Sequence, residues 1–155
     1  MYYTYDDTVE LLSNMIDIME DRYNLIRSGW QAKDLKPILI IIDEFADLVM
    51  QDKGDAFFNN LCRLAQKCRA ARMSIIISTQ RPSVNVVNGT IKANFPARIS
   101  CKVASHVDSK VVLDTSGAED LLGKGDALLR DNFRHMERFQ IAYTDATEVC
   151  NYFGE

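Results

Sequence analysis

The sequence is poor in the residues that support several common kinds of site. Its four cysteines, at positions 62, 68, 101 and 150, show no C-x-x-C spacing and are joined by only two histidines, His106 and His135. No ordinary structural zinc site can be assembled from this set, and free thiols in a reducing compartment are the simplest interpretation. No apolar run reaches the roughly 18 residues that a membrane-spanning helix needs, so we expect this chain to be soluble.

A phosphate-binding loop of the form G-x-x-x-x-G-K-S/T is also missing from the 155 residues. The net charge of -4 argues against a protein coated in positive potential, so any contact with nucleic acid must come from a local patch. The length and the hydrophobic content of 47% suit one ordinary domain with its own core. We therefore predict a single domain over residues 1–155.

The pattern of apolar residues alternates between helix and strand. Apolar side chains recur at helical spacing over about residues 6–28, with Asp6 or Asp7 as start signals and Gly29 just past the end. A second helix is predicted over about residues 55–71, and its buried stripe should contain Phe58, Leu61, Leu64, Ala65 and Cys68.

Continuous aliphatic runs predict the strands. "PILIIID" suits a parallel strand that is covered on both faces. "MSIIISTQ" repeats that design, "ARISCKV" is a third such run, and further strands are predicted at "DALLR" and "RFQIAYT". Strands and helices in alternation predict an α/β fold with a mainly parallel sheet and flanking helices.

Two acids follow the first predicted strand. In parallel sheets, ligands bind beyond the carboxyl ends of the strands, where Asp43 and Glu44 would meet Ser78, Thr79 and Gln80 at the end of the next strand. An aliphatic strand ending in Asp-Glu is typical of a Walker B motif, in which the Asp holds a nucleotide's Mg²⁺ and the Glu activates water. Alternatively, the two acids only cap the following helix.

A longer stretch identifies a family. Residues 38–129, with "DEFADL", "STQRPS", "IKAN" and "GAEDLLGKGD", closely resemble the motor domain of the FtsK/SpoIIIE family of bacterial DNA translocases. The resemblance implies a RecA-like P-loop NTPase core that forms hexameric rings and pumps double-stranded DNA with ATP and Mg²⁺. It also implies a process such as chromosome partition at cell division, sporulation or conjugation.

Site residues follow from the same resemblance. Asp43 would be the Mg²⁺ carboxylate, Glu44 the catalytic base, and Gln80 the polar sensor of the γ-phosphate. Arg69 would be the arginine finger that reaches the neighbouring subunit's nucleotide, with Arg72 as the alternative. The family usually has Gly where Arg72 stands, at the end of the helix, so we expect this turn to be built differently here.

Positive charge is concentrated after the second strand. Residues 81–112 carry five basic side chains and one acid, whereas residues 1–30 carry six acids and two arginines. A local basic set of this kind suits sequence-independent binding to phosphates. The resemblance implies DNA contacts at Arg81, Lys92 and Lys110, and a scatter of solvated surface charges is the simpler alternative.

The resemblance also implies that the phosphate-binding loop lies upstream of residue 1, which would make this chain a partial motor domain, incomplete at its N-terminal side. We therefore expect the chain alone to hydrolyse ATP poorly or not at all. We expect it to be cytoplasmic, with any membrane anchor outside these residues. Two alternatives are a type VII protein secretion ATPase of the FtsK-like kind and a non-catalytic DNA-binding or assembly module.

Overall fold

The computed structural model describes residues 4–131 and 135–153. The chain divides into two compact units, Met1–Phe95 and Pro96–Glu155, which are treated separately below. No helix among the described residues is long and apolar enough to span a membrane. The assignment of residues 1–155 to a single motor domain stays a prediction.

Over its described residues, 4–95, the first unit contains a two-stranded parallel sheet and four α-helices. Two short 3₁₀ segments, Ala32–Asp34 and Cys68–Ala71, precede the strands. The elements, in chain order, are α1 (Tyr5–Arg27), β1 (Ile38–Ile42), α2 (Phe45–Gln51), α3 (Ala56–Lys67), β2 (Met73–Ile77) and α4 (Gly89–Asn94).

Helix α1 confirms the long predicted helix, with a different start signal. Thr4 is the N-cap: its hydroxyl accepts a hydrogen bond from the Asp7 backbone N–H, and the Asp7 side chain accepts one from the Thr4 backbone N–H. This reciprocal pair satisfies two backbone donors that the first turn leaves open. Asp7 thus completes the cap that Thr4 begins.

The inner face of α1 packs on α3, which forms much of the core of this unit. Leu12, Ile16 and Met19, which recur at the helical spacing, are buried on α1. On α3 the fully buried aromatic residue is Phe57, and the predicted Phe58 is only half-buried. Tyr5 and Asp52 help to determine which face of α3 is buried. The Asp52 carboxylate accepts hydrogen bonds from the Tyr5 hydroxyl and from the backbone at the start of α3.

Strands β1 and β2 pair in parallel, in register from Ile38 with Met73 to Ile42 with Ile77. The prediction that β1 is covered on both faces is wrong for the described residues. Leu39 is 56% exposed and Ile41 66% exposed, so alternate residues of β1 face outward. Burial on both faces needs a layer on each side of the sheet. The alternating burial of β1 shows a covering layer on one side only.

The second unit holds a three-stranded antiparallel sheet in the order β3-β4-β5. Its elements are β3 (Arg98–Cys101), α5 (His106–Leu113), β4 (Asp126–Arg130), β5 (Met136–Gln140) and α6 (Ala146–Phe153). The expectation that the third aliphatic run continues a parallel sheet is therefore wrong, because β3 pairs antiparallel with β4. Leu113, Ala118 and Leu121 form the core beside this sheet.

A tight turn leads into β4. Gly125 has a φ of +93°, and a Cβ atom there would come within 2.7 Å of the Ile141 carbonyl oxygen. Only glycine accepts both the left-handed backbone and the close approach. This position explains the second glycine of the "GKG" run without any role in binding phosphate.

Candidate functional site

The ends of β1 and β2 bring two groups of polar residues together. The strands run parallel, so their carboxyl ends meet at the same edge of the sheet. Beyond the ladder, the Ser78 backbone N–H donates to the Ile42 carbonyl at 2.9 Å, and the Phe45 N–H donates to the Ser78 carbonyl at 2.8 Å. Asp43 and Glu44 are thereby held beside the segment that follows β2.

Asp43 is exposed and accepts two hydrogen bonds at one carboxylate oxygen. The Ser78 hydroxyl donates to Oδ1 at 2.6 Å, and the Glu44 backbone N–H donates to the same atom at 3.0 Å. Within the described part of the chain both bonds go to Oδ1, so Oδ2 keeps its lone pairs for a ligand.

Glu44 is half-buried and is held at both oxygens. The Thr79 hydroxyl donates to Oε1 at 2.6 Å, and the Gln80 backbone N–H donates to Oε2 at 3.0 Å. The Thr79 hydroxyl, followed by the Gln80 N–H, lowers the pKa of the Glu44 carboxyl, with a smaller contribution from Arg81. Glu44 therefore stays ionised at neutral pH, which a proton acceptor requires.

The backbone at Glu44 is strained. Its φ of 43° and ψ of 55° place it in the left-handed region, which costs a residue other than glycine about 1–2 kcal/mol. Neither acid caps α2 with its side chain. The simpler interpretation, in which the acids only cap that helix, is therefore not supported.

The structure brings together three of the four residues predicted for catalysis. Asp43, Glu44 and Gln80 lie at one edge of the sheet, although the contact to Glu44 comes from the Gln80 backbone. Sequence analysis placed Ser78 and Thr79 beside the acids but did not foresee that their hydroxyls donate hydrogen bonds to the two carboxylates. Small polar residues directly after an aliphatic strand were the signal for them.

Arg69 lies elsewhere in the unit. It sits exposed in the 3₁₀ segment Cys68–Ala71, before the start of β2, whereas Glu44 contacts residues beyond the end of that strand. Five strand residues span about 16 Å, so Arg69 does not reach the acids of its own chain. Such a separation is compatible with an arginine that acts on a neighbouring subunit.

The turn after Arg69 keeps a glycine-like backbone without a glycine. Arg72 has a φ of 55° and a ψ of 43°, and its guanidinium donates to the Lys33 carbonyl oxygen. The expectation of a differently built turn is therefore wrong, since arginine adopts the left-handed conformation that suits glycine.

On the preceding helix, Arg63 and Lys67 pair with Glu20 at 3.4 and 3.3 Å, so their charges serve the contact between α3 and α1.

The three residues predicted to contact DNA occupy different elements. Arg81 follows β2 and forms an exposed ion pair with Asp47 at 3.3 Å. Lys92 is half-buried on α4. Lys110 is exposed on α5, in the second unit.

An apolar cavity of about 410 Å³ lies next to this region, but the two acids do not line it. It runs beside α2, with Ala46, Val49 and Val86 among its walls. The carboxylates instead stand at the open edge of the sheet.

The acids suit a magnesium ion that arrives with a nucleotide. Among residues 4–131 and 135–153, no group of three or more His, Cys, Asp or Glu side chains is placed to hold a metal ion. Mg²⁺ keeps several waters and commonly uses one or two carboxylates together with substrate phosphates. One exposed Asp43 carboxylate with an open oxygen is sufficient for that mode. It would not be sufficient for a site in which the protein supplies all the ligands.

Comparisons with known proteins show which family and fold the chain resembles. Residues 27–84 match the FtsK/SpoIIIE family. The DNA translocase FtsK of Clostridium acetobutylicum is 59% identical over 118 residues, which make up 76% of this chain and 15% of that protein. The chain thus spans less than a fifth of that relative.

Two solved structures have the same fold. The pCW3 conjugation coupling protein TcpA, solved as a monomer with ATPγS, aligns with a TM-score of 0.83 and 27% identity over 94% of this chain and 46% of that one. The cytoplasmic domain of the Thermomonospora curvata type VII secretion ATPase EccC aligns with a TM-score of 0.72 and 22% identity, over 86% of this chain and 18% of that one. The predicted α/β P-loop NTPase fold is confirmed. The chain belongs to the FtsK/SpoIIIE family.

Proposed function

We propose that this chain is part of an ATP-driven motor that moves double-stranded DNA. The observation that carries the proposal is the pair Asp43 and Glu44, held at the carboxyl end of β1 by hydroxyl and backbone donors from the end of β2. The substrate is proposed to be DNA because relatives of this chain are named DNA translocases. A structural relative solved with ATPγS supports the nucleotide.

Each residue would have a distinct task. When bound, Mg²⁺ would offset the negative charge of the phosphates, and Asp43 would hold it through its water shell. Glu44 would orient the attacking water and accept its proton. The Gln80 side chain, which can donate and accept hydrogen bonds at once, would contact the γ-phosphate or that water.

Arg69 would act between subunits. It is exposed and remote from the acids of its own chain, which suits an arginine finger in a homo-hexameric ring. The guanidinium stays charged and can bind phosphate oxygens in a bidentate manner. It would thereby stabilise charge in the transition state of the neighbouring subunit.

Arg81, Lys92 and Lys110 would contact the DNA backbone. The ion pair between Arg81 and Asp47 does not oppose this role, because both side chains are more than half exposed and such pairs contribute about 0–1 kcal/mol. A DNA phosphate can replace Asp47 at little cost. Binding of this kind is independent of base sequence, as a translocating motor requires.

We further propose that the active motor contains a phosphate-binding loop outside these residues. This chain alone would then hydrolyse ATP poorly. We also propose that the motor works in the cytoplasm.

The test measures ATP hydrolysis by the complete gene product, with and without duplex DNA. Duplex DNA should stimulate turnover, and raising the salt concentration should weaken the stimulation. Reversing the charges with Arg81→Glu and Lys92→Glu should reduce the stimulation and flatten its dependence on salt. Asp47→Asn, which frees Arg81, should instead strengthen DNA binding. No stimulation by duplex DNA under any salt condition would contradict a DNA motor.

The fold likeness to EccC keeps a second cargo open, namely an exported protein. Stimulation of ATP hydrolysis by a secretion substrate but not by duplex DNA would favour that function. The non-catalytic alternative predicts DNA binding without any turnover by the complete gene product.

A further inference from the structure

The Thr79 hydroxyl connects the backbone after β2 to the Glu44 carboxylate. Its oxygen accepts a hydrogen bond from the Arg81 backbone N–H at 3.0 Å, and the hydroxyl donates to Glu44 Oε1 at 2.6 Å. The direction is unambiguous, because a backbone N–H can only donate and an ionised carboxylate can only accept. The single hydroxyl proton is therefore aimed at Glu44.

The second oxygen of Glu44 is fixed at the same time. The Gln80 backbone N–H donates to Oε2 at 3.0 Å, so the two donors hold the plane of the carboxylate from adjacent positions of one turn. A carboxylate offers about four acceptor sites, which leaves lone pairs on both oxygens for a water molecule. The carboxylate is thus oriented without being saturated.

The residue that receives this support also has a left-handed backbone. With a φ of 43°, Glu44 adopts a conformation that residues other than glycine disfavour. The hydrogen bonds from Thr79 and Gln80 oppose relaxation of the side chain, and both donors belong to the turn that the Arg81 N–H braces against the Thr79 oxygen.

We propose that Thr79 is the positioning residue for the base: its hydroxyl, braced by the Arg81 N–H, sets the orientation in which Glu44 faces the attacking water. The proposal rests on the proposed role of Glu44 as general base. Thr79 itself touches neither water nor nucleotide in this account. It acts only through the carboxylate.

The first test uses steady-state ATP hydrolysis by the complete gene product. Thr79→Val keeps the shape but removes the hydroxyl, and should lower kcat about 10- to 100-fold, as expected for the loss of one hydrogen bond to a charged group. The KM for ATP should stay within about twofold, because substrate binding is not addressed. Thr79→Ser should restore turnover, and Thr90→Val, at an exposed site on α4, is the matched control. An unchanged or raised kcat in Thr79→Val would overturn the proposal.

The second test does not depend on activity. Amide hydrogen exchange at the Gln80 N–H reports the bond to Glu44 directly. In this chain, Thr79→Val should speed exchange at Gln80, Thr79→Ser should preserve protection, and Thr90→Val should change nothing there. Equal protection of Gln80 in the wild type and Thr79→Val would overturn the positioning role.

The two proposals fail in different ways. Normal turnover in Glu44→Gln would reject Glu44 as the base, and with it the site that carries the proposed function, whatever Thr79 does. Loss of turnover in Glu44→Gln together with normal turnover in Thr79→Val would keep the function and reject the positioning residue.

Discussion

Glu44 and Asp126 are two carboxylates with lowered pKa values, but different donors hold them. Glu44, in the first unit, is half-buried and is held by a neutral hydroxyl and a neutral backbone N–H. Asp126, in the second unit, is buried and accepts two hydrogen bonds from the Arg138 guanidinium, at 2.9 and 2.7 Å, and one from the Leu122 N–H. The hydrogen bonds from Arg138 lower the pKa of Asp126 to about 2.

The difference is the one expected if Glu44 is the proposed base and Asp126 stabilises the fold. The negative charge of Asp126 is compensated by a cation in a fork geometry, which favours stability and leaves little for a ligand. Neutral donors orient Glu44 but do not cancel its charge. A carboxylate with a fixed direction, an uncompensated charge and an open side is what proton abstraction needs.

The largest expected effect separates the two acids by function. Glu44→Gln should preserve nucleotide binding by the complete gene product yet lower hydrolysis about 100- to 10,000-fold, the usual contribution of a general base. Steady-state ATPase assays and nucleotide binding measure the two quantities. Glu10→Gln, at an exposed position on α1, is the control. Near-normal turnover in Glu44→Gln would show that Glu44 is not the general base.

Asp126→Asn should do the reverse. It breaks the fork with Arg138 and should lower the melting temperature by several degrees, whereas Glu44→Gln should change it little. Thermal unfolding followed by circular dichroism measures both. Glu137→Gln, exposed on the neighbouring strand β5, controls for loss of a surface charge. Equal melting temperatures for Asp126→Asn and Glu137→Gln would show that the fork is dispensable.

The same ion pair predicts a dependence on pH. The pKa of Asp126 is lowered from 3.8 to about 2 in the folded chain, so between these values the folded state binds fewer protons than the unfolded state. The stabilisation is fully present above pH 3.8 and is lost as the pH falls to about 2. The difference in melting temperature between the wild type and Asp126→Asn should shrink over that range. A constant difference from pH 5 to pH 2 would contradict the pKa shift.

The smallest effect concerns the geometry of the fork. Arg138→Lys keeps the positive charge but removes the planar pair of donors, so it should lower the melting temperature less than Asp126→Asn does. Measuring the melting temperatures of both variants at neutral pH separates the stabilisation due to the positive charge from that due to the geometry of the guanidinium. A loss in Arg138→Lys equal to that in Asp126→Asn would assign the whole stabilisation to the bidentate hydrogen bonds.

Some of this was predictable from sequence. The run "ILIIIDE" and the later "IIISTQ" specify two strands that end in polar residues, and parallel pairing then brings Asp43 and Glu44 to Gln80. The position of Thr79 beside Glu44 was predictable from the same pattern, but the hydrogen bond between them was not, because it depends on a left-handed backbone at Glu44 that no residue preference signals. The family resemblance marked the position of Arg72 as one that suits glycine, and the structure retains that backbone.

Other features depend on contacts that a local pattern does not contain. The aliphatic run of β3 says nothing about the direction of its partner, and antiparallel pairing with β4 followed only from the structure. On α3, the choice between Phe57 and Phe58 depends on where the helix begins. Asp52 sets that start by accepting the first backbone N–H groups.

The most direct test of the central claim is a structure of the complete gene product with ATPγS and Mg²⁺. In that structure the water shell of the metal ion should contact Asp43, and the Gln80 side chain should contact the γ-phosphate or its attacking water. The Glu44 carboxylate, still bonded to Thr79, should face that water. A nucleotide bound with its γ-phosphate and metal ion away from Asp43 and Glu44 would contradict the claim.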